Sequence, residues 1–240
     1  MVTWSSDELH RLEAILHSME RELSPLPGKE ILLLCCREGQ VALWLGKRMA
    51  GRGRVVGIDL NEDLLDQGRR QARQEGLERV VYFQQAEMYR LAFPDESFDA
   101  LVSEFIVYPS PLVTQIGQPE MARVLRRGGK MLLTDVITPT PLSPDVKEAL
   151  RTIGLDYLCE ATVDDFRLWM EDPKTGLQGV EVVDLTPLLR QVWHERRRAD
   201  PVIEHRSAYT LLLDDPRLSL GNGLFYIYAH GEKRESSGTR

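Results

Sequence analysis

The chain has 240 residues, of which 42% are hydrophobic and 28% are charged, and its formal net charge is −7. This composition is ordinary for a globular protein. The acidic balance argues against a nucleic-acid surface, because phosphate binding depends on clustered cations. No stretch approaches the roughly 20 apolar residues that a membrane helix needs. The three cysteines lack CxxC spacing and support neither a disulfide framework nor a zinc ribbon, and we expect no metal site. The N-terminus lacks the pattern of a signal peptide, so we expect a cytoplasmic protein.

Strands and helices alternate along the first part of the chain. An amphipathic helix is predicted over Ser5–Glu22, with Ser5 and Glu8 in capping-box spacing. Further helices are predicted over Glu38–Met49, from an Asn61 cap to about Gln74, and around Glu120–Leu125. Short apolar runs between them predict five buried strands, over Ile31–Cys36, Val55–Asp59, Val80–Phe83, Phe98–Ser103 and Lys130–Asp135.

Five alternations in about a hundred residues indicate a parallel, doubly wound sheet with right-handed crossovers. Ligands of such sheets bind at the carboxyl ends of the strands, near the switch in strand order. The predicted lining of this cleft is Cys36, Asp59, Gln84–Met88, Ser103, Glu104 and Asp135.

The second half of the chain is less regular. A proline-rich connector, TPTPLSP, spans Thr138–Pro144. Helices are predicted over Asp145–Leu158, Thr162–Met170 and Thr186–Arg198, and strands over Val180–Asp184 and Leu224–Ala229. Thr162 and Asp165 have capping-box spacing.

Three segments resemble the class I methyltransferases that use S-adenosylmethionine. Residues 120–135, EMARVLRRGGKMLLTD, are similar to the "E..RVL.PGG.lll.D" of that family's fifth-strand region, and VVGID over Val55–Asp59 is similar to its second strand. LAFPDESFDALVS over Leu91–Ser103 is similar to "LPF.D.SFD.V.s". By pattern the chain resembles the type 11 group, which includes quinone-biosynthesis enzymes.

The resemblance implies a three-layer α/β Rossmann-like methyltransferase fold, with a mostly parallel seven-stranded sheet whose last strand is antiparallel. We therefore interpret 1–240 as one domain. Its parts are an N-terminal helix (1–25), a cofactor-binding core (26–137), substrate or lid helices with one strand (138–220), the last strand (221–233) and a frayed tail (234–240).

The resemblance also implies S-adenosylmethionine as cofactor and assigns residues to it. Asp59 would accept hydrogen bonds from both ribose hydroxyls, with Leu60 beside it. Glu87 would bind the adenine amino group, and Met88 would pack on the adenine face. Glu104, at the end of the fourth strand, completes the predicted cofactor site.

The first glycine-rich motif departs from the family's "vLDlGCGtG". Leu33 stands where the family has an acid, which removes a charge that helps to hold the cofactor's ammonium end. Cys35 and Arg37 replace two glycines and Gly39 remains, although glycine serves there by allowing positive φ and close approach to the ligand. Arg37 would point outward or meet the cofactor's carboxylate through a bidentate pair. Three outcomes stay open: altered cofactor contacts, a different nucleotide-like ligand, or no ligand.

The predicted reaction is methyl transfer to a small-molecule acceptor by in-line displacement, which needs mainly alignment and exclusion of water. A general base is needed only for a protic acceptor, and the candidates are Glu104, Tyr108 and His194. His194 has a second interpretation, as a boundary histidine beside the apolar face of its helix. The alternative function is a methyltransferase-like scaffold without catalysis that acts as a binding or interaction protein. Homodimer formation is open under either function.

Overall fold

The computed structural model describes residues 6–104, 118–152, 159–199 and 223–235. The helices are α1 (Ser6–Leu23), α2 (Gln40–Arg48), α3 (Glu62–Gln74), α4 (Gln118–Val124), α5 (Pro144–Thr152), α6 (Val163–Met170) and α7 (Thr186–Ala199). The strands are β1 (Glu30–Leu34), β2 (Arg54–Asp59), β3 (Val81–Gln85), β4 (Phe98–Glu104), β5 (Leu125–Thr138), β6 (Cys159–Glu160), β7 (Leu177–Asp184) and β8 (Phe225–Lys233).

Seven strands form one continuous path in the order β3-β2-β1-β4-β5-β8-β7. The strands β1 to β5 pair in parallel, whereas β8 lies antiparallel to both β5 and β7. The predicted α/β fold, with a mostly parallel sheet and an antiparallel last strand, is therefore confirmed. The two-residue strand β6 is an addition that the sequence did not predict. It pairs with Ile137 and Thr138 of β5, beyond the point where β4 ends.

Alternate strand residues bury against opposite helical layers. Ile31 and Leu33 of β1 belong to a core shared with α1, α2 and α3, whereas Leu32 and Leu34 belong to a second core shared with α4 and α6. The same alternation continues through β5 and β8, as expected for strands buried on both faces. The result is a three-layer α/β/α arrangement.

Two predicted helix caps are present. The Asn61 side chain accepts from the backbone N–H groups of Asp63 and Leu64 at 3.0 and 3.3 Å. Thr162 and Asp165 form a reciprocal capping box at α6. The predicted capping box of Ser5 lies outside the described residues.

Several predicted boundaries were wrong. The first strand ends at Leu34 and not at Cys36, because Cys35 adopts a φ of 51° and leaves the extended conformation. The fifth strand begins at Leu125 and not at Lys130, because Leu125 already pairs with Phe98 of β4. Gly128 and Gly129 therefore lie within the strand, where its register with β4 shifts between Phe98 and Ala100. In the described residues α5 ends at Thr152, and 153–158 lie outside them.

Candidate functional site

The carboxyl ends of β1, β2, β3, β4 and β5 meet along one edge of the sheet. β2 and β3 lie on one side of β1, and β4 and β5 lie on the other side, so the strand order switches between β1 and β4. Such a switch opens a crevice because the following connections leave on opposite faces of the sheet. The loop between β1 and α2, residues 35–39, lies at this point.

The β1–α2 loop has the backbone conformation of a glycine-rich turn at positions that are not glycine. Cys35, Arg37 and Gly39 have φ of 51°, 52° and 80°. A positive φ costs a residue with a β-carbon about 1–2 kcal/mol, so the loop holds two strained residues in place. The loop is closed by backbone hydrogen bonds, from Cys36 N to Ile58 O at 2.9 Å and from Gly39 N to Cys36 O at 2.8 Å.

Packing as well as backbone conformation requires a glycine at position 39. A β-carbon on Gly39 would lie 2.1 Å from the Phe83 ring. The Phe83 ring is buried beneath the loop and also lies against Gly57 and Gly68. Gly39 therefore lets α2 begin directly above β3, which is a structural role in addition to the predicted cofactor contact.

Asp59, the last residue of β2, connects two neighbouring turns. Its Oδ2 accepts from the backbone N–H of Arg37 at 2.9 Å, and its Oδ1 accepts from that of Asn61 at 3.0 Å. Each carboxylate oxygen can accept a second hydrogen bond. Asp59 therefore holds the β1–α2 loop in position and retains acceptor capacity for a pair of hydroxyl groups.

Two apolar side chains and one acidic side chain lie just beyond the ends of β2 and β3, on one side of the crevice. The Leu60 side chain is 60% exposed, although it is a large hydrophobic group. Its carbonyl accepts from the Gln85 side chain at 2.8 Å, which fixes this turn against the end of β3. Met88 is half-buried against the second core, whereas Glu87 is exposed. Leu60, Glu87 and Met88 thus lie beyond the ends of β2 and β3, on the same side as Asp59.

Neither cysteine of the loop has the properties of a reactive thiol. Burial, with the negative charges of Asp59 and Asp135, raises the pKa of the Cys35 thiol to about 12. Burial and the Asp59 charge also raise the pKa of Cys36 well above its ordinary value. Both thiols are therefore neutral at physiological pH, and the Cys36 side chain lies in the core shared with α1, α2 and α3.

The β4–β5 side of the crevice carries polar groups at its buried edge. Ser103 and Asp135 are 0% and 7% exposed, and Asp135 Oδ1 accepts from the backbone N–H of Val136 at 2.8 Å. Glu104 is the last residue of β4, one residue beyond the predicted end of that strand. Tyr108 lies outside the described residues. His194 is exposed on α7, and its predicted role remains a prediction.

One feature of the site was missed by sequence reasoning. Glu38 is 9% exposed, so the loop contains a buried carboxylate. Leu33, at the position of the family's acid, is 1% exposed and faces the core under α1 and α2, as expected for a buried strand. A buried Glu38 carries no signal in the sequence, since an acid next to a glycine reads as an exposed turn residue.

A loop with left-handed residues and a carboxylate at the end of β2 thus lie together at the strand-order switch. The model of the family described as "Methyltransferase domain" matches residues 31–129. The fatty-acid O-methyltransferase of Mycolicibacterium smegmatis is 30% identical over 214 residues, which cover 86% of this chain and 74% of that enzyme. The chain belongs to the class I S-adenosylmethionine-dependent methyltransferase family.

Other similar proteins agree with this assignment. The demethylmenaquinone methyltransferase of Lactobacillus johnsonii is 28% identical over 152 residues, 61% of each chain. The fold is shared with the geranyl diphosphate C-methyltransferase of Streptomyces coelicolor A3(2), solved with Mg²⁺, geranyl diphosphate and S-adenosyl-L-homocysteine. That structure has a TM-score of 0.72 and 20% identity, and the match covers 95% of this chain and 81% of that one. The chain spans between 48% and 63% of the length of four curated relatives that it matches.

Proposed function

We propose that this protein binds S-adenosylmethionine and transfers its methyl group to a small-molecule acceptor. The observation that carries the proposal is the conformation of the β1–α2 loop. Cys35 and Arg37 keep the positive φ of the glycines they replace, and the Arg37 N–H is bonded to Asp59. The altered sequence therefore preserves the shape of the cofactor loop.

The residues present fit the cofactor. Asp59 has an acceptor site left on each oxygen for the two ribose hydroxyls. Leu60 and Met88 offer apolar surface to the adenine ring, and Glu87 offers an acceptor to its amino group. Exposed apolar groups next to a polar crevice are typical of a ligand site. With the adenosine over β2 and β3, the amino-acid end would lie by Cys35 and Arg37 at the end of β1.

The chemistry is a displacement at the methyl carbon, and the cofactor supplies the electrophilic methyl group and a neutral thioether leaving group. The protein has to align donor and acceptor and to exclude water. The acceptor then lies over β4 and β5, next to Glu104 and Asp135. Glu104, Tyr108 and His194 are the proposed bases for a protic acceptor, where one of them receives the proton that the acceptor loses.

A small-molecule acceptor is supported by the chain's net charge of −7, which disfavours nucleic acid. It is also supported by relatives named for naphthoquinone, fatty-acid and demethylmenaquinone substrates. No helix in the described ranges is long and apolar enough to span a membrane. We propose a cytoplasmic location, either as a monomer or as a homodimer.

Calorimetric titration with S-adenosylmethionine and S-adenosylhomocysteine tests the proposal. We expect binding with a micromolar Kd, which would justify a screen of small acceptors. Absence of binding at millimolar ligand would refute the enzyme function and favour the catalytically inactive scaffold.

Reversion of the loop gives a second test. The double variant Cys35→Gly/Arg37→Gly restores the family's glycines. A working loop predicts only a modest change in affinity, because the backbone conformation is already in place. Binding that appears only in the double variant would mean that the side chains close the site.

A further inference from the structure

Glu38 is the one loop acid that the proposed function does not use. The residue is 9% exposed, and its Oε2 atom accepts no hydrogen bond within the part of the chain that the structure describes. Buried carboxylates normally have such partners, because removing a charge from water is unfavourable unless it is paired and hydrogen-bonded.

The adjacent cation, Arg37, does not complete the environment of Glu38. Arg37 Nε lies 3.7 Å from Glu38 Oε2, which is within ion-pair distance but longer than a hydrogen bond. Arg37 balances the charge of Glu38 and leaves the Oε2 lone pairs unused. A ligand with a positively charged hydrogen-bond donor would supply what Arg37 does not.

S-Adenosylmethionine carries such a donor in the α-ammonium of its amino-acid end. With the adenosine over β2 and β3, that end would reach the β1–α2 loop, where Glu38 lies. At the position of the family's acid this chain has Leu33, which is buried in the apolar core and offers no charge. An ammonium group has three N–H donors and binds a carboxylate through a charge-assisted hydrogen bond.

We propose that Glu38 binds the α-ammonium of the cofactor and so selects ligands that carry an amino-acid end. The inference rests on the proposed function, since it assumes that the cofactor occupies this crevice. Arg37, which balances Glu38, is then placed to face the α-carboxylate. The Arg37–Glu38 pair matches the two opposite charges of the ligand.

A structural role is the competing explanation. Glu38 immediately precedes Gly39, the N-cap of α2, and a carboxylate near a helix N-terminus is electrostatically favourable. That role predicts a loss of stability on neutralising Glu38 but no discrimination between ligands.

The test compares two ligands that differ in the amino-acid end, which carries the α-ammonium. S-Adenosylhomocysteine has the amino-acid end, whereas 5′-methylthioadenosine keeps the adenosine and the thioether but lacks it. In Glu38→Gln we expect the affinity for S-adenosylhomocysteine to fall about 10- to 100-fold, the loss of a charge-assisted hydrogen bond. The affinity for methylthioadenosine should change less than about twofold, because this ligand has no ammonium group whose hydrogen bond could be lost.

Two glutamates provide matched controls. Glu87→Gln, on the adenine side, should change the affinity for both ligands by the same factor. Glu78→Gln, at an exposed position after α3, should change neither. The thermal stability of each variant is measured alongside, and Glu38→Asp, which shortens the arm and keeps the charge, replaces Glu38→Gln if that variant does not fold.

The results separate the inference from the function on which it rests. If the wild-type protein binds S-adenosylhomocysteine and Glu38→Gln weakens both ligands equally or neither, Glu38 does not bind the ammonium, although the cofactor assignment stands. If the wild-type protein binds neither S-adenosylmethionine nor S-adenosylhomocysteine, the function and the inference are both wrong.

Discussion

Replacing Cys35 by glycine should stabilise the protein, although it removes a half-buried side chain. Cys35 has a φ of 51°, where a β-carbon costs about 1–2 kcal/mol. Glycine removes this strain but loses about 0.5–1 kcal/mol more backbone entropy on folding. The net gain is about 0.5–1 kcal/mol, or about 1–4 °C in the unfolding temperature of a chain of this size.

Urea denaturation of three variants measures the gain. Cys35→Ala keeps the β-carbon and therefore the strain, so it should be no more stable than the wild type. Ala50→Gly is the matched control, because Ala50 is exposed with a φ of 49° and lies outside the crevice. It should gain a similar amount. An unfolding midpoint for Cys35→Gly at or below that of Cys35→Ala, with an unchanged slope, would refute the strain argument.

Three further predictions follow from the described contacts. Gly39→Ala should lose about 2–5 kcal/mol in urea unfolding, because it combines an unfavourable φ with a contact 2.1 Å from Phe83; a loss below 1 kcal/mol would contradict the packing argument. Arg123→Gln should lose about 1.5–3 kcal/mol at pH 7, since Arg123 bonds Glu120 and the carbonyls of Leu91 and Phe93. The Arg123 bond lowers the pKa of Glu120 below its ordinary value of 4.5, so that contribution is present above pH 4.5 and is lost as the pH falls through the lower folded pKa. The variant should therefore lose less stability on acidification, and parallel acid curves would refute this. Finally, alkylation at pH 8 should be slow at Cys35 in the native protein, because a pKa of about 12 leaves about 10⁻⁴ of the thiol ionised; mass spectrometry showing rapid native labelling of Cys35 would contradict this.

Features set by neighbouring residues could be read from the sequence. The caps at Asn61 and Thr162 depend on side chains that bond backbone groups two or three residues away, so their spacing reveals them. The buried strands were recognisable as apolar runs, and the family pattern supplied the antiparallel last strand.

Features set by distant residues could not be read. The extension of β5 to Leu125 depends on pairing with Phe98, and β6 depends on the end of β5 remaining open beyond β4. The bond from the Arg37 N–H to Asp59 joins residues 22 positions apart. The burial of Glu38 depends on how the chain packs around it, so the sequence identifies the residue as an acid but does not reveal that it is buried.

The pairing of β5 has a consequence for how the chain is made. Its partner β8 spans Phe225–Lys233 and is synthesised after every other described strand. Until β8 emerges from the ribosome, β5 has an open edge from Lys130 to Ile137, and β7 has no partner in the sheet. Unpaired strand edges of nascent chains are sites of misassembly. Lys233 then closes the structure, since its ammonium donates to the carbonyls of Ala122 and Leu125, both at 2.5 Å. Completion of the sheet is therefore a late, long-range step, and a chain interrupted before β8 would be a target for chaperones and proteases.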